Sequence, residues 1–291
     1  MIYAYKTINC VVFLVFFLIQ GCSTIPSPMD RLSAANAIAS SSQMKTKIIH
    51  LGNFSTLSYY KINQSDPARK AYIYIEGDGV AYKSRNVISS DPTPYPPLAL
   101  NLAASHLIDH SYDSVIYLAR PCQFLLTAGC DNKWWTSHRF AQEMVDSVNG
   151  AISNFVQNFG LEEITLVGYS GGGAIATIIS AKRKDVNQLI TVAGNMNHKK
   201  WTKDKSLTSM KGSLNPVDFA HELKELNQIH IAGLRDTVMP YNILQSYLNE
   251  FNRLDHIKVL YENFDHHCCW AEHWSEIIKK YGILATPIPK R

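Results

Sequence analysis

A strong charge of either sign is missing from this chain. Over 291 residues the formal net charge is +4, too weak and too dispersed for a nucleic-acid partner. Long apolar runs are missing as well. The unbroken apolar stretch at 10–19 would rise only about 15 Å as a helix, half the thickness of a bilayer core, which excludes a permanent transmembrane span there. Internal repeats and low-complexity blocks are also absent. What remains reads as one globular domain preceded by a short amino-terminal segment.

Residues 1–22 read as a targeting segment rather than part of the fold. Lys6 supplies a positive charge, the apolar run follows, and the segment ends in Leu18-Ile19-Gln20-Gly21-Cys22. An aliphatic residue three before a cysteine, with a small residue directly before it, resembles the bacterial lipobox. That resemblance implies cleavage before Cys22, diacylation of its thiol and a lipid-anchored protein of the cell envelope. Two or three acyl chains anchor stably where one does not. Gln20 is less usual at its position. Ser23 stands where an aspartate would resemble an inner-membrane retention signal, so the expected destination is the outer membrane. An ordinary secretory peptide with a chance cysteine is the alternative.

About 270 residues then remain, enough for one large α/β domain. Four cysteines stay in that mature chain, Cys122, Cys130, Cys268 and Cys269, and an even number in an oxidising compartment favours disulfides. Cys122 and Cys130 close a short segment containing Gly129, the easiest pairing. Cys268 and Cys269 are adjacent, and pairing each with one of the earlier cysteines is the rival connectivity. Both stay open.

Residues 23–46 are expected to form a tether and a small helix capped by Asp30, with the main domain at 47–291. Apolar strand-like runs fall at 47–51, 55–61, 71–76, 114–118, 164–167, 188–192, 228–232 and 256–261. Helical patterns fall at 97–106, 137–159, 172–182, 216–226, 241–251 and 271–281. After the first two or three strands, expected to be antiparallel, strands and helices alternate. This predicts an α/β fold, an eight-stranded, mostly parallel sheet with helices on both faces. The segment 194–227 is short, polar and basic, which disfavours a large apolar lid and leaves only a short cap segment.

The chemistry is concentrated in 161–175, LEEITLVGYSGGGAI. Ser170 stands between an apolar, β-branched strand and a glycine-led helix. A serine at so tight a corner needs small residues two before and two after it, and Gly168 and Gly172 occupy those positions. The pattern resembles the nucleophile elbow of the α/β-hydrolase superfamily, and the likeness extends over about residues 47–281. In that superfamily an acid and then a histidine follow the serine along the chain. Gly233-Leu234-Arg235-Asp236-Thr237-Val238-Met239-Pro240 resembles its acid loop, which makes Asp236 the candidate acid; a helix-capping role is the plainer reading. The candidate base is His266, preferred because Asp-His followed by an aromatic residue resembles related hydrolases, with His267 the alternative.

The resemblance also implies an oxyanion hole of two backbone N–H groups. One belongs to Gly171. The other belongs to Asp78, with Gly77 the alternative, in Glu76-Gly77-Asp78-Gly79, where related enzymes often carry His-Gly. The Asp78 carboxylate is expected to point away from the oxyanion, toward Arg85 or Arg120. The loop 91–97, rich in proline, is expected at the rim, and Ala119 to Gln123, after the fourth strand, at the carboxyl edge of the sheet; Trp134, Trp135 and Trp201 are pocket or packing residues.

The implied activity is hydrolysis of a small-molecule ester or acyl substrate, with no metal or cofactor and no nucleic-acid partner. A peptidase, thioesterase or acyltransferase on the same scaffold is the alternative, as is a non-catalytic surface lipoprotein. The oligomeric state is not indicated.

Overall fold

A computed structural model describes residues 25–284; the targeting segment and Cys22 lie outside the described residues. The main sheet contains β1 (Lys45–Leu51), β2 (Phe54–Lys61), β3 (Lys70–Ile75), β6 (Val115–Leu118), β7 (Glu163–Tyr169), β8 (Val186–Val192), β9 (Asn227–Gly233) and β10 (Ile257–Glu262). Their spatial order is β1-β2-β6-β3-β7-β8-β9-β10. β2 runs antiparallel to both its neighbours, and every other pairing is parallel. The third strand, left open between the two orientations, is parallel to β6 and β7. A separate hairpin pairs β4 (Tyr82–Ser84) with β5 (Val87–Ile88). Its side chains are exposed throughout, so no alternation of apolar and polar residues announced it.

The helices are α1 (Pro28–Ser41), α2 (Leu98–Asp109), α3 (Gln142–Phe159), α4 (Gly171–Ser180), α5 (His198–Asp204), α6 (Tyr241–Leu248) and α7 (Trp274–Tyr281). Strand periodicity sends alternate side chains to opposite layers. Ile73, Ile75 and Leu166 pack with Val145, Val148 and Ile152 of α3 and Ile175 and Ile178 of α4. On the other face Tyr74, Val167 and Tyr169 meet α1, α2 and α7 through Ala35, Ala39, Leu100, Leu102 and Trp274. Parallel strands covered on both faces read as continuous apolar runs, as β7 does. Burying each such Leu, Ile or Val contributes about 1.5–3 kcal/mol.

Three local expectations need correction. Ser27, not Asp30, caps α1: its hydroxyl accepts from the Asp30 N–H at 3.2 Å, and Pro28 takes the first helical position, where a missing N–H costs nothing. The helix expected at 216–226 is two short 3₁₀ turns, Pro216–Phe219 and His221–Leu223. Its apolar residues Val217, Ala220, Leu223 and Leu226 repeat every third position, the 3₁₀ period rather than the α period. Finally, α3 begins at Gln142 rather than 137, because Arg139 is turned into a buried ion cluster described below. Cys122 is bonded to Cys130, and Cys268 to Cys269, so the cross-paired alternative is not the connectivity of this structure.

The small helix expected after the tether, Pro28–Ser41, is built into the domain. Arg31 is buried, donates to the Thr93 carbonyl and lies 3.6 Å from the Asp91 carboxylate. Tyr59 Oη donates to Asn36 Oδ1 at 2.8 Å. Removing one partner of a buried ion pair leaves the other charge uncompensated. Arg31→Ala is therefore expected to lower the unfolding free energy by about 3–5 kcal/mol, read as a shifted urea midpoint at unchanged slope.

Candidate active site

Four strand ends build the site at the carboxyl edge of the sheet. β7 ends at Tyr169 and α4 starts at Gly171, so Ser170 is the whole connection. The space there forces its backbone to φ +50°, a region costly for any residue other than glycine. A Cβ on Gly168 would lie 2.4 Å from the Gly172 carbonyl oxygen, and one on Gly172 would lie 2.2 Å from that of Ile75. Neither gap admits a methyl group. The hydroxyl of Ser170 thus stands clear of the sheet at the positive end of α4.

β9 and β10 deliver the partners. His266 Nε2 lies 3.0 Å from Ser170 Oγ, and His266 Nδ1 lies 2.7 Å from Asp236 Oδ2. The other Asp236 oxygen accepts from the N–H groups of Val238 and Met239, each at 2.8 Å. Asp236 and His266 are both buried, which shields this chain of hydrogen bonds from competing water. His267 is placed differently: Nδ1 lies 3.4 Å from Tyr169 Oη, and partial burial, reinforced by His266, lowers its pKa. The histidine loop is held from two sides. Tyr169 Oη donates to the His266 carbonyl at 2.9 Å, and Asp265 Oδ1 accepts from the N–H groups of His267 and Cys268. A hydroxyl, an imidazole and a carboxylate in this geometry can move a proton off the serine as it attacks.

The comparisons agree with this frame. A family model described as the alpha/beta hydrolase fold matches residues 125–211, the stretch that includes α3, β7, Ser170 and α4. An alpha-beta serine hydrolase homologue from Coxiella burnetii superposes with a TM-score of 0.57 at 13% identity, over 83% of this chain and 97% of that one. The chain has the α/β-hydrolase fold. An esterase from Pyrococcus furiosus gives a TM-score of 0.57 at 10% identity, covering 83% and 93% of the two chains. Est1E from Butyrivibrio proteoclasticus gives 0.56 at 12%, covering 82% and 98%. No curated protein matches the chain in sequence.

Within this α/β-hydrolase frame, the loop after β3 is the least anticipated part. The Gly77 N–H, the alternative expected donor, is taken by Glu76 Oε1 at 2.9 Å. Asp78 lines the same cavity as Ser170 and His266. Its carboxylate is gripped by Arg120 and by Arg139 Nη1, the latter at 2.6 Å. Burial pushes that carboxyl up, but the two guanidinium groups outweigh it and hold Asp78 below the usual carboxylate range. Of the two arginines suggested for it by sequence, Arg120 is the partner, and Arg85 is exposed on the β4–β5 hairpin. Arg139 escaped notice because it lay inside a helical pattern. Gln123 completes the clamp, donating to the Gly77 carbonyl at 2.8 Å and accepting from the Arg120 N–H at 2.9 Å.

The surroundings of Glu76 give it a structural task. Oε1 also accepts from the Ala99 N–H at 3.3 Å, in the first turn of α2, a helix whose Pro97 cap offers no side-chain acceptor. Oε2 accepts from Tyr117 Oη at 3.1 Å. One buried carboxyl therefore ties the loop after β3 to a helix start and to β6. The surrounding cavity holds about 370 Å³. Its walls include Pro94, Tyr95 and Pro96 of the proline-rich loop, Trp201 of α5, and Val238. Trp134 and Trp135 instead pack in a separate cluster beneath the Cys122–Cys130 loop.

Burial raises the Glu76 pKa from 4.5 to about 7, against the hydrogen bonds that favour its charged form. The folded protein thus holds a proton that the unfolded chain has released, so this contribution to stability is present below pH 4.5 and lost as pH rises through 7. Glu76→Gln has no such titration. The wild-type unfolding free energy, measured by urea titration across that range, is expected to fall relative to that of the variant.

Proposed function

We propose that this protein is a serine hydrolase that cleaves carboxylic esters through an acyl-enzyme intermediate. The observation that carries the reading is the continuous hydrogen-bonded chain from Ser170 through His266 to Asp236, at a turn that holds the serine hydroxyl at the positive end of α4. Ser170 Oγ attacks the acyl carbon while His266 Nε2 takes its proton. Asp236 holds the Nδ1–H side and stabilises the imidazolium. The carbonyl oxygen, now negative, accepts from the N–H groups of Gly171 and Asp78. Collapse expels the alcohol, protonated by His266. Water then enters, loses its proton to His266, attacks the acyl carbon and releases the acid with Ser170 restored.

The charge cluster around Asp78 serves this chemistry. An unpaired carboxylate beside a developing oxyanion would oppose it. Two buried guanidinium groups, from Arg120 and Arg139, offset that charge. The cavity of about 370 Å³ and the short helix α5 at its rim favour compact acyl groups over long ones.

In the same reading, cleavage before Cys22 and acylation of its thiol anchor the mature enzyme in the bacterial envelope, at the outer membrane. Removing the thiol removes the attachment point, so Cys22→Ala is expected to move the protein from the membrane fraction to the soluble one. Unchanged fractionation would count against the lipobox.

A fluorophosphonate probe is expected to label the wild-type protein at Ser170 and to leave Ser170→Ala unlabelled. Ester turnover in that variant should drop by on the order of 10⁴-fold or more. Absence of labelling in folded protein would overturn the assignment. Comparing short-chain chromogenic esters with peptides, thioesters and acyl acceptors separates ester hydrolysis from the other acyl-transfer chemistries this geometry allows.

A further inference from the structure

The β4–β5 hairpin has no role in the acyl chemistry, yet it stands at the mouth of the site. All seven residues at 82–88, Tyr-Lys-Ser-Arg-Asn-Val-Ile, are exposed. Its base is fixed. The Ser89 N–H donates to the Ala81 carbonyl at 3.0 Å, and Trp135 Nε1 donates to the Ser89 carbonyl at 3.0 Å. Above that base, Tyr82, Val87 and Ile88 keep 42%, 52% and 41% of their surface in water, beside Lys83 and Arg85 and with no acidic residue in the hairpin. Tyr82 also lines the cavity over Ser170. A firmly based projection that pairs large apolar side chains with cations is suited to an interface that is apolar inside and anionic outside.

The amino-terminal end of the domain emerges on the same side. Arg31 of α1 is fastened to Asp91 and Thr93, in the segment directly after the hairpin, whose next residues Pro94 to Pro96 wall the cavity. The described chain therefore begins beside the mouth, with Ile25 and Met29 both exposed. Cys22 lies three residues before Ile25, and three residues span at most about 11 Å. An acyl group on Cys22 would hold the bilayer within about that distance of Ile25, on the side of the domain that carries the hairpin.

We infer that the 82–88 hairpin docks on a bilayer surface containing anionic lipid. Lys83 and Arg85 engage headgroup phosphates, Tyr82, Val87 and Ile88 enter the interface, and the catalytic mouth faces the membrane. The orientation rests on the Cys22 anchor proposed above; the hairpin's composition and rigid base are independent of it.

The test uses the full chain with vesicles of phosphatidylcholine, with and without phosphatidylglycerol. A fluorophore is placed at position 87 through Val87→Cys, and in a second protein at position 253 through Arg253→Cys, at the opposite edge of the sheet. Headgroup-level quenchers carried on lipid are expected to quench position 87 when anionic lipid is present and to leave position 253 bright. Lys83→Glu with Arg85→Glu is expected to lower the docked-to-free ratio by roughly 30-fold or more while leaving turnover of a water-soluble ester unchanged. Equal quenching at the two positions, no quenching at position 87, or burial of position 87 only on adding a soluble protein would each overturn the inference. Loss of soluble-ester turnover in the wild type with quenching intact would instead count against the hydrolase reading alone. A failed anchor is read separately, in the fractionation of Cys22→Ala.

Discussion

The turn at 168–172 is the constraint on which the rest of the site depends. β7 runs into α4 with a single residue between them, and the carbonyls of Ile75 and Gly172 approach so closely that no side chain fits at Gly172 or Gly168. Ser170 is left with a backbone conformation that costs about 1–3 kcal/mol for a non-glycine residue. The central sheet supplies the rigidity to hold it, since β7 is paired along both edges, to β3 and β8. Because parallel strands all end at the same edge, β9 and β10 bring Asp236 and His266 to that turn without any long excursion of chain.

A second constraint is electrostatic. Asp78 sits on the connection after β3, and Arg120 and Arg139, both buried, sit on the connection between β6 and α3 and pair with it. An unpaired buried charge is costly by several kcal/mol, so these groups are stable only as a set. Their pairing is what gives shape to a loop with no regular secondary structure. Gly77 is held at both ends of its peptide, by Glu76 and by Gln123. Gly79, with φ at +64°, has no room for a side chain beneath the Pro92 carbonyl. Between its backbone-bonded ends at Glu76 and Val80, this loop is positioned by side-chain chemistry.

The elements that were legible in the sequence were those whose signal is local. The eight strands and most helices announced themselves through runs and periods, and the elbow through two glycines flanking a serine. The residues 216–226 misled because an apolar residue every third position was read as an α period. The β4–β5 hairpin carried no period at all, being solvated on both faces. Arg139 was hidden inside a helical pattern because its turn is imposed by Asp78, a residue 61 positions away. The preference for His266 over His267 rested on a resemblance in the local pattern, and His266 is the one that meets Ser170; which way adjacent loop residues point is set by the fold around them.

The sequence by itself determined the layered α/β fold, the tight strand-to-helix corner at Ser170 and the chain order of a serine, an acid and a histidine. These follow from steric rules and hydrophobic periodicity that act over a few residues. Only the tertiary structure decided which histidine meets the serine, which arginines hold Asp78, and that Glu76 fastens a loop to the start of α2. Those pairings join segments that are distant along the chain. They exist because burial withdraws water from polar and charged groups, which then take their hydrogen-bond partners from the protein itself.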